Sequence, residues 1–122
     1  MQYIELHARS AFSFLEGGSL PEALIMRAAG LNIPAMALLD RDGFYGSPRF
    51  HMAAKKNGLR AHVGAELTVS DESGVANYPL LCETKAGYQN LCRLITRTKL
   101  RVPKHSQSSA RLNELKGVAG LI

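Results

Sequence analysis

The sequence predicts an α/β fold with mostly parallel strands, a βαβαβ pattern that makes half of something larger. Three observations carry that prediction. Short apolar runs alternate with stretches of helical periodicity, the order found in the crossover units that build parallel sheets. The apolar run that begins at Ala35 ends in Asp40-Arg41-Asp42 and a Gly43 turn. Such a strand delivers polar side chains to its carboxyl end, where α/β folds bind ligands. The last residues, Gly120-Leu121-Ile122, read as a strand cut short.

Taken in order, residues 3–7 alternate apolar and polar side chains as a first strand does. A loop through Glu16-Gly17-Gly18 leads to Ser19, which the spacing places as a helix cap, with Glu22 completing a capping box. Pro21 suits a first turn, where its missing N–H is not needed. Leu20, Leu24, Ile25 and Ala28 form the apolar stripe, and Gly30 stands where a left-handed cap belongs. Pro34 opens a strand over residues 35–39. After the turns at Gly43 and Gly46, Ser47-Pro48 reads as a cap followed by proline at the first helical position. That helix turns Phe50, Ala53 and Ala54 inward, Lys55 and Lys56 outward, and stops near Gly58. A third strand covers residues 61–69, a turn residues 70–74, and a returning strand residues 78–82. Residues 87–98 carry Tyr88, Leu91, Leu94 and Ile95 at helical spacing. A mobile polar loop over residues 101–109, a short helix over 110–115 and the cut strand near Val118 complete the pattern. No internal repeat is evident.

A chain of 122 residues can bury one core but cannot hold a large multidomain enzyme. Its 46% hydrophobic and 20% charged residues are an ordinary globular balance. A formal charge of +5 fits an acidic partner such as nucleic acid, or simply a basic surface. Cys82 and Cys92 have neither disulfide-framework nor zinc spacing. With no leader before Met1 and no apolar run long enough to span a bilayer, the expectation is a cytoplasmic protein with reduced thiols and no membrane partner. No Ser/His/Asp spacing, glycine-rich phosphate loop or zinc-finger pattern is present, which argues against those chemistries.

Three stretches together carry a family likeness: LHARSAFSFLEG (residues 6–17), LLDRDGFYG (residues 38–46) and HVGAEL (residues 62–67). In order and spacing they resemble the PHP (polymerase and histidinol phosphatase) domain at the N-terminus of bacterial DNA polymerase III alpha subunits, above all the error-prone relatives of that subunit. The segments PRFHMAAKKNGLRAHVGAEL and AGYQNLCRLITR fit as well. On that likeness the chain is the N-terminal part of a single, truncated PHP domain spanning residues 1–122, a partial β/α barrel of a seven-stranded kind. The resemblance implies a metal cluster at the strands' carboxyl ends, used by intact members for phosphoester hydrolysis and in some polymerases for 3′–5′ proofreading. His7 matches the first histidine of the His-x-His-Ser motif, and Glu16 stands where an aspartate is usual. Asp40 matches the first aspartate of Asp-His-Asp-Gly, and Glu66 the glutamate of Gly-x-Glu. Arg9 replaces the second histidine, and Arg41 replaces the histidine between the two aspartates.

Those two replacements decide the chemistry. A metal ligand must offer a lone pair; a guanidinium has only donors and a charge that does not titrate usefully. Two cations about 4 Å apart repel by roughly 4 kcal/mol at an effective dielectric of about 20. Arg9 and Arg41 are therefore expected to take the place of metals, bridging the carboxylates of Glu16, Asp40 and Glu66 that would otherwise repel one another. Two other arrangements fit the same residues: the guanidiniums point to solvent, or they bind phosphate directly. Asp42 is the remaining motif carboxylate and a candidate base, though a cap on the Gly43 turn is the simpler role. His51, His62 and His105 read as surface or strand residues rather than ligands.

Arg93 and Arg97, one helical turn apart in the densest basic run, are candidates for phosphate contact, or else a solvated helix face. The expected function is a noncatalytic module of an error-prone DNA polymerase, without a cofactor, whose partners are the remaining polymerase domains and, through them, DNA. The competing expectation is a phosphoesterase or 3′–5′ exonuclease using Zn2+, Mn2+ or Mg2+ at His7, Glu16, Asp40 and Glu66. A free-standing binding domain is a third. A half-barrel with open strand edges is also expected to self-associate.

Overall fold

The computed structural model describes residues 2–13, 17–104, 106–116 and 118–122. Its elements run β1 (Glu5–Ala8), α1 (Pro21–Gly30), β2 (Ala35–Arg41), α2 (Ser47–Lys56), β3 (Arg60–Asp71), β4 (Gly74–Leu81), α3 (Lys85–Leu100), β5 (Ala110–Arg111) and α4 (Leu112–Leu115). The strands form one curled sheet in the order β1-β2-β3-β4, with β5 beside β3. β1, β2, β3 and β5 are parallel where they pair, and β4 runs antiparallel to β3. The α/β half-barrel expected from the sequence is the fold observed.

β3 is the spine of the sheet. Its first half pairs with β2, from Ala35↔Arg60 to Arg41↔Glu66, and β5 takes up the same edge further along, at Val69 and Ser70. Paired residues in neighbouring strands share a face, and successive residues alternate faces. Met36 and Leu38 pack with Ile25 and Ala28 of α1 and Phe50 and Ala54 of α2. Ala65, Leu67 and Val69 pack with Leu91, Leu94 and Ile95 of α3. Through the register Met36↔Ala61, Leu38↔Val63 and Asp40↔Ala65, these residues belong to one face. The three long helices thus cover the outer face of the half-barrel. Ala37, Leu39, Arg41, Gly64, Glu66 and Thr68 face the other way, into its concave side.

β1 carries an irregularity that matters for the site. Glu5 pairs with Met36 but Ala8 pairs with Leu38, so three residue steps on β1 oppose two on β2. Such a bulge resets which side chains face inward. Ala8 packs on the helix side, and its neighbours His7 and Arg9 turn to the concave side.

Several helix ends differ from the sequence expectation. Leu20, not Ser19, occupies the cap of α1, without a side-chain bond, and no capping box forms. Glu22 instead accepts from Arg49 Nε at 2.5 Å, tying α1 to α2. The left-handed residue after α1 is Asn32 (φ 57°) rather than Gly30. Gly46 caps α2, so Ser47 is already helical and Pro48 follows it within the first turn. α3 starts earlier than expected because Thr84 Oγ1 accepts from Gly87 N at 3.0 Å and caps it. Ala110 and Arg111 are strand, not helix, and they end the polar loop by docking on β3. Near the end of the chain, Ile122 and Leu81 exchange both backbone hydrogen bonds at 2.9 Å, and Leu121 bridges Cys82 antiparallel. These last residues thus pair with the end of β4.

Candidate functional site

Three adjacent strands bring their polar ends together on the concave side. Glu66, on β3, is the centre, with a side chain only 4% exposed. Arg9 donates to its Oε2 through Nε at 2.7 Å and again through Nη2. His7 Nε2 lies 2.9 Å from the same oxygen. Arg41, directly opposite in the β2–β3 register, brings Nη2 to 3.7 Å from Oε1. Burial alone pushes the Glu66 carboxyl upward, but the bonds from His7 and Arg9 and the Arg9 charge outweigh it and hold the group below its usual range. An ionised carboxylate only accepts, so the His7 nitrogen facing it is the one that carries hydrogen.

Asp40 lies elsewhere. Being next to Arg41 on an extended strand, it points to the opposite, helix-covered face, where it is 1% exposed. Oδ1 accepts from Ser10 N (2.8 Å), Ser10 Oγ (2.9 Å) and Ser13 Oγ (2.8 Å). Oδ2 accepts from Ser10 Oγ at 2.9 Å and Gly46 N at 3.0 Å. Each of these donors is a hydroxyl or a backbone amide, where the sequence suggested a bridge from Arg9 or Arg41. A Cβ on Gly46 would sit 2.7 Å from Asp40 Oδ2 and 2.8 Å from Ser10 Oγ, which explains the glycine there. Asp42, which the sequence offered as a cap on the Gly43 turn, lies in the left-handed region at φ 52°. It accepts from Thr68 N and Thr68 Oγ1, both at 2.7 Å, and locks the end of β2 to β3. Glu16 lies outside the described residues, as does His105.

Arg93 and Arg97 are on α3, away from Glu66. Arg93 Nη1 donates to Asn90 Oδ1 at 3.3 Å, and Arg97 Nη1 lies 3.7 Å from Glu114 Oε2. Arg101 grips Glu114 with two bonds of 2.7 and 2.8 Å. Sequence reasoning passed over Ser10, Ser13, Gly46, Thr68 and the Arg101–Glu114 pair. For Ser10 the signal was present, because it stands at the serine of the His-x-His-Ser pattern.

The family profile of the PHP domain matches residues 5–120. The chain belongs to the PHP domain family. It is 49% identical over 98 residues to an error-prone DNA polymerase of Anaeromyxobacter sp. (strain K), covering 79% of this chain and 9% of the relative. Similar polymerases from Ralstonia nicotianae (42%, 84% of this chain, 10% of the relative) and Corynebacterium jeikeium (38%, 97% and 10%) match as well. The chain spans about a tenth of the length of the curated relatives it matches. Among solved structures it resembles an amidohydrolase from Chromobacterium violaceum, determined with bound sulfate and no metal. That match has a TM-score of 0.67 at 27% identity, over 80% of this chain and 33% of the other. A presumed metal-dependent phosphoesterase from Bifidobacterium adolescentis shares the fold, with a TM-score of 0.66 at 22% identity over 81% and 34% of the two chains.

The PHP fold implies metal, so the donor set must be tested against it. Arg9 and Arg41 have no lone pair to give. His7 spends one nitrogen on Glu66, Asp42 is committed to Thr68, and Asp40 is on the wrong face. Among the described residues, no three His, Cys, Asp or Glu side chains gather as a cation would require. These residues do not fit a metal cluster. Among the described residues, no helix of this PHP chain is long and apolar enough to cross a membrane.

Proposed function

We propose that this chain is the PHP module of an error-prone, translesion-type bacterial DNA polymerase, acting in cytoplasmic DNA replication and repair. In it the ancestral metal site has become an arginine–glutamate lock. Its role is structural: it stabilises and positions the remaining polymerase domains, which in turn engage DNA. The similarity to error-prone polymerases and the small share of their length that the chain covers support the context. The observation that carries the lock is the Glu66 carboxylate, which takes both Arg9 donors and the His7 nitrogen while Arg41 closes in from β2. A buried carboxylate so occupied has little left for a cation, and two fixed guanidiniums at its side oppose one.

Elemental analysis after purification from Mn2+- and Zn2+-supplemented medium tests this reading, together with melting in the presence and absence of chelator. The expected result is substoichiometric metal and an unchanged Tm. Stoichiometric binding of two or more ions overturns it. So does Mn2+-dependent hydrolysis of single-stranded DNA or a phosphomonoester that disappears in Glu66→Ala; that outcome identifies a phosphoesterase instead.

A further inference from the structure

Charge is unevenly placed along this chain. Between Lys85 and Lys116 the sequence has eight Lys and Arg against one acid, Glu114, while the rest carries seven Lys and Arg against nine Asp and Glu. The whole positive excess thus comes from α3 and the segment after it. On α3, Arg93 and Arg97 fall one turn apart, and Arg101 at the C-cap extends the row by another turn. At a rise of 1.5 Å per residue the guanidinium stems step by about 6 Å. The three arginines line a shallow groove with Cys92, Thr96 and Leu100 on the helix-bearing side of the sheet. Arg97 is 65% exposed.

We propose that this row is a binding surface for the sugar–phosphate backbone of nucleic acid, read without sequence preference. Guanidinium is the side chain best matched to phosphate oxygens, and a row at one-turn spacing follows a strand rather than a single anion. Tyr88, the aromatic residue of α3, is engaged with Phe44 at a ring separation of 4.9 Å, so no stacking platform accompanies the row. Contacts confined to phosphates position a duplex or strand but carry no base information. Arginine is enriched at protein interfaces as well, so capture by an acidic protein is the outcome that the test sets against DNA. Glu114 acts as a built-in counter-charge: it occupies Arg101 and draws on Arg97. This inference stands apart from the Glu66 lock, which lies on the concave face and enters none of its steps.

Fluorescence anisotropy with labelled mixed-sequence DNA, single-stranded and duplex, across a salt series tests the surface. Binding is expected for different sequences alike, with log K falling linearly in log[salt]. Arg93→Ala with Arg97→Ala is expected to lower that slope by about one per arginine, whereas Lys55→Ala with Lys56→Ala on α2 leaves it unchanged. Glu114→Gln keeps one oxygen to accept from the Arg111 amide at the start of α4 but removes the charge, and it is expected to tighten binding. A clamp with only a structural role would lose stability in that variant without gaining affinity. Equal salt slopes in the arginine variant and the unaltered chain overturn the proposal. Capture of labelled polyglutamate through this row, with DNA ignored, overturns it in favour of an acidic protein.

Discussion

Replacing Glu66 by Gln keeps the shape of the lock and removes its negative charge. Arg9 and Arg41 then remain beside the concave wall, with side chains 28% and 24% exposed, and lose the carboxylate between them. Breaking a fully buried ion pair from one side costs about 3–5 kcal/mol, while exposed pairs contribute about 1 kcal/mol or less. Glu66 is buried but its guanidiniums are partly solvated, so the cost falls between these limits, at about 2 kcal/mol. For a chain of this size that lowers Tm by about 8 °C. Circular-dichroism melts at neutral pH measure it directly. Arg9→Met combined with Glu66→Gln is expected to recover part of the loss, because the stranded cation is gone as well. The reasoning is refuted if Glu66→Gln melts with the unaltered chain, or if chelator alone destabilises the unaltered chain as much as the substitution does.

Gly46→Ala forces a methyl group between Asp40 and Ser10, whose positions are fixed by buried hydrogen bonds. It is expected to cost about 2 kcal/mol, read as a lower urea midpoint, and an unchanged midpoint would show that the Asp40 cradle yields. Burial pushes the Cys82 thiol up to about 11, so its thiolate fraction at pH 8 is about one in a thousand. Alkylation followed by peptide mass spectrometry should find Cys82 slow at that pH and faster by about tenfold per pH unit up to its titration; reaction at the rate of a free thiol at pH 8 contradicts the burial argument. β1 is a short edge strand with Leu6 46% exposed, and concentration-dependent self-association in sedimentation is expected through it. Leu6→Lys should abolish that association, and a monomer at all concentrations removes the edge from consideration.

The architecture was legible because periodicity survives tertiary context: β2, α2, β3 and α3 lie where alternation and helical spacing put them. Local chemistry at the helix ends was less legible. Ser19 and Glu22 satisfy a capping pattern, yet Arg49, distant in sequence, takes the glutamate instead. β5 could not be seen, since two residues have no period of their own and exist only by docking on β3. At the site, the motifs singled out His7, Arg9, Arg41 and Glu66, which the fold brings together, but not the faces of their strands. Strand alternation alone would have separated Asp40 from Arg41. Placing His7 and Arg9 beside Glu66 required the bulge in β1, which no residue pattern in that strand announces.

The two buried carboxylates, Asp40 and Glu66, lie at similar depth yet are satisfied in different ways. Asp40 is held by hydroxyl and amide donors on the helix side. Glu66 takes charged donors on the concave side. Ser13 joins them: its hydroxyl donates to Asp40 Oδ1 and accepts from the Arg41 amide at 2.9 Å. The outer node therefore fixes the backbone from which the Arg41 side chain reaches inward. The charged contacts of the concave face are thus separate from the hydroxyl and amide bonds that hold the scaffold on the other face.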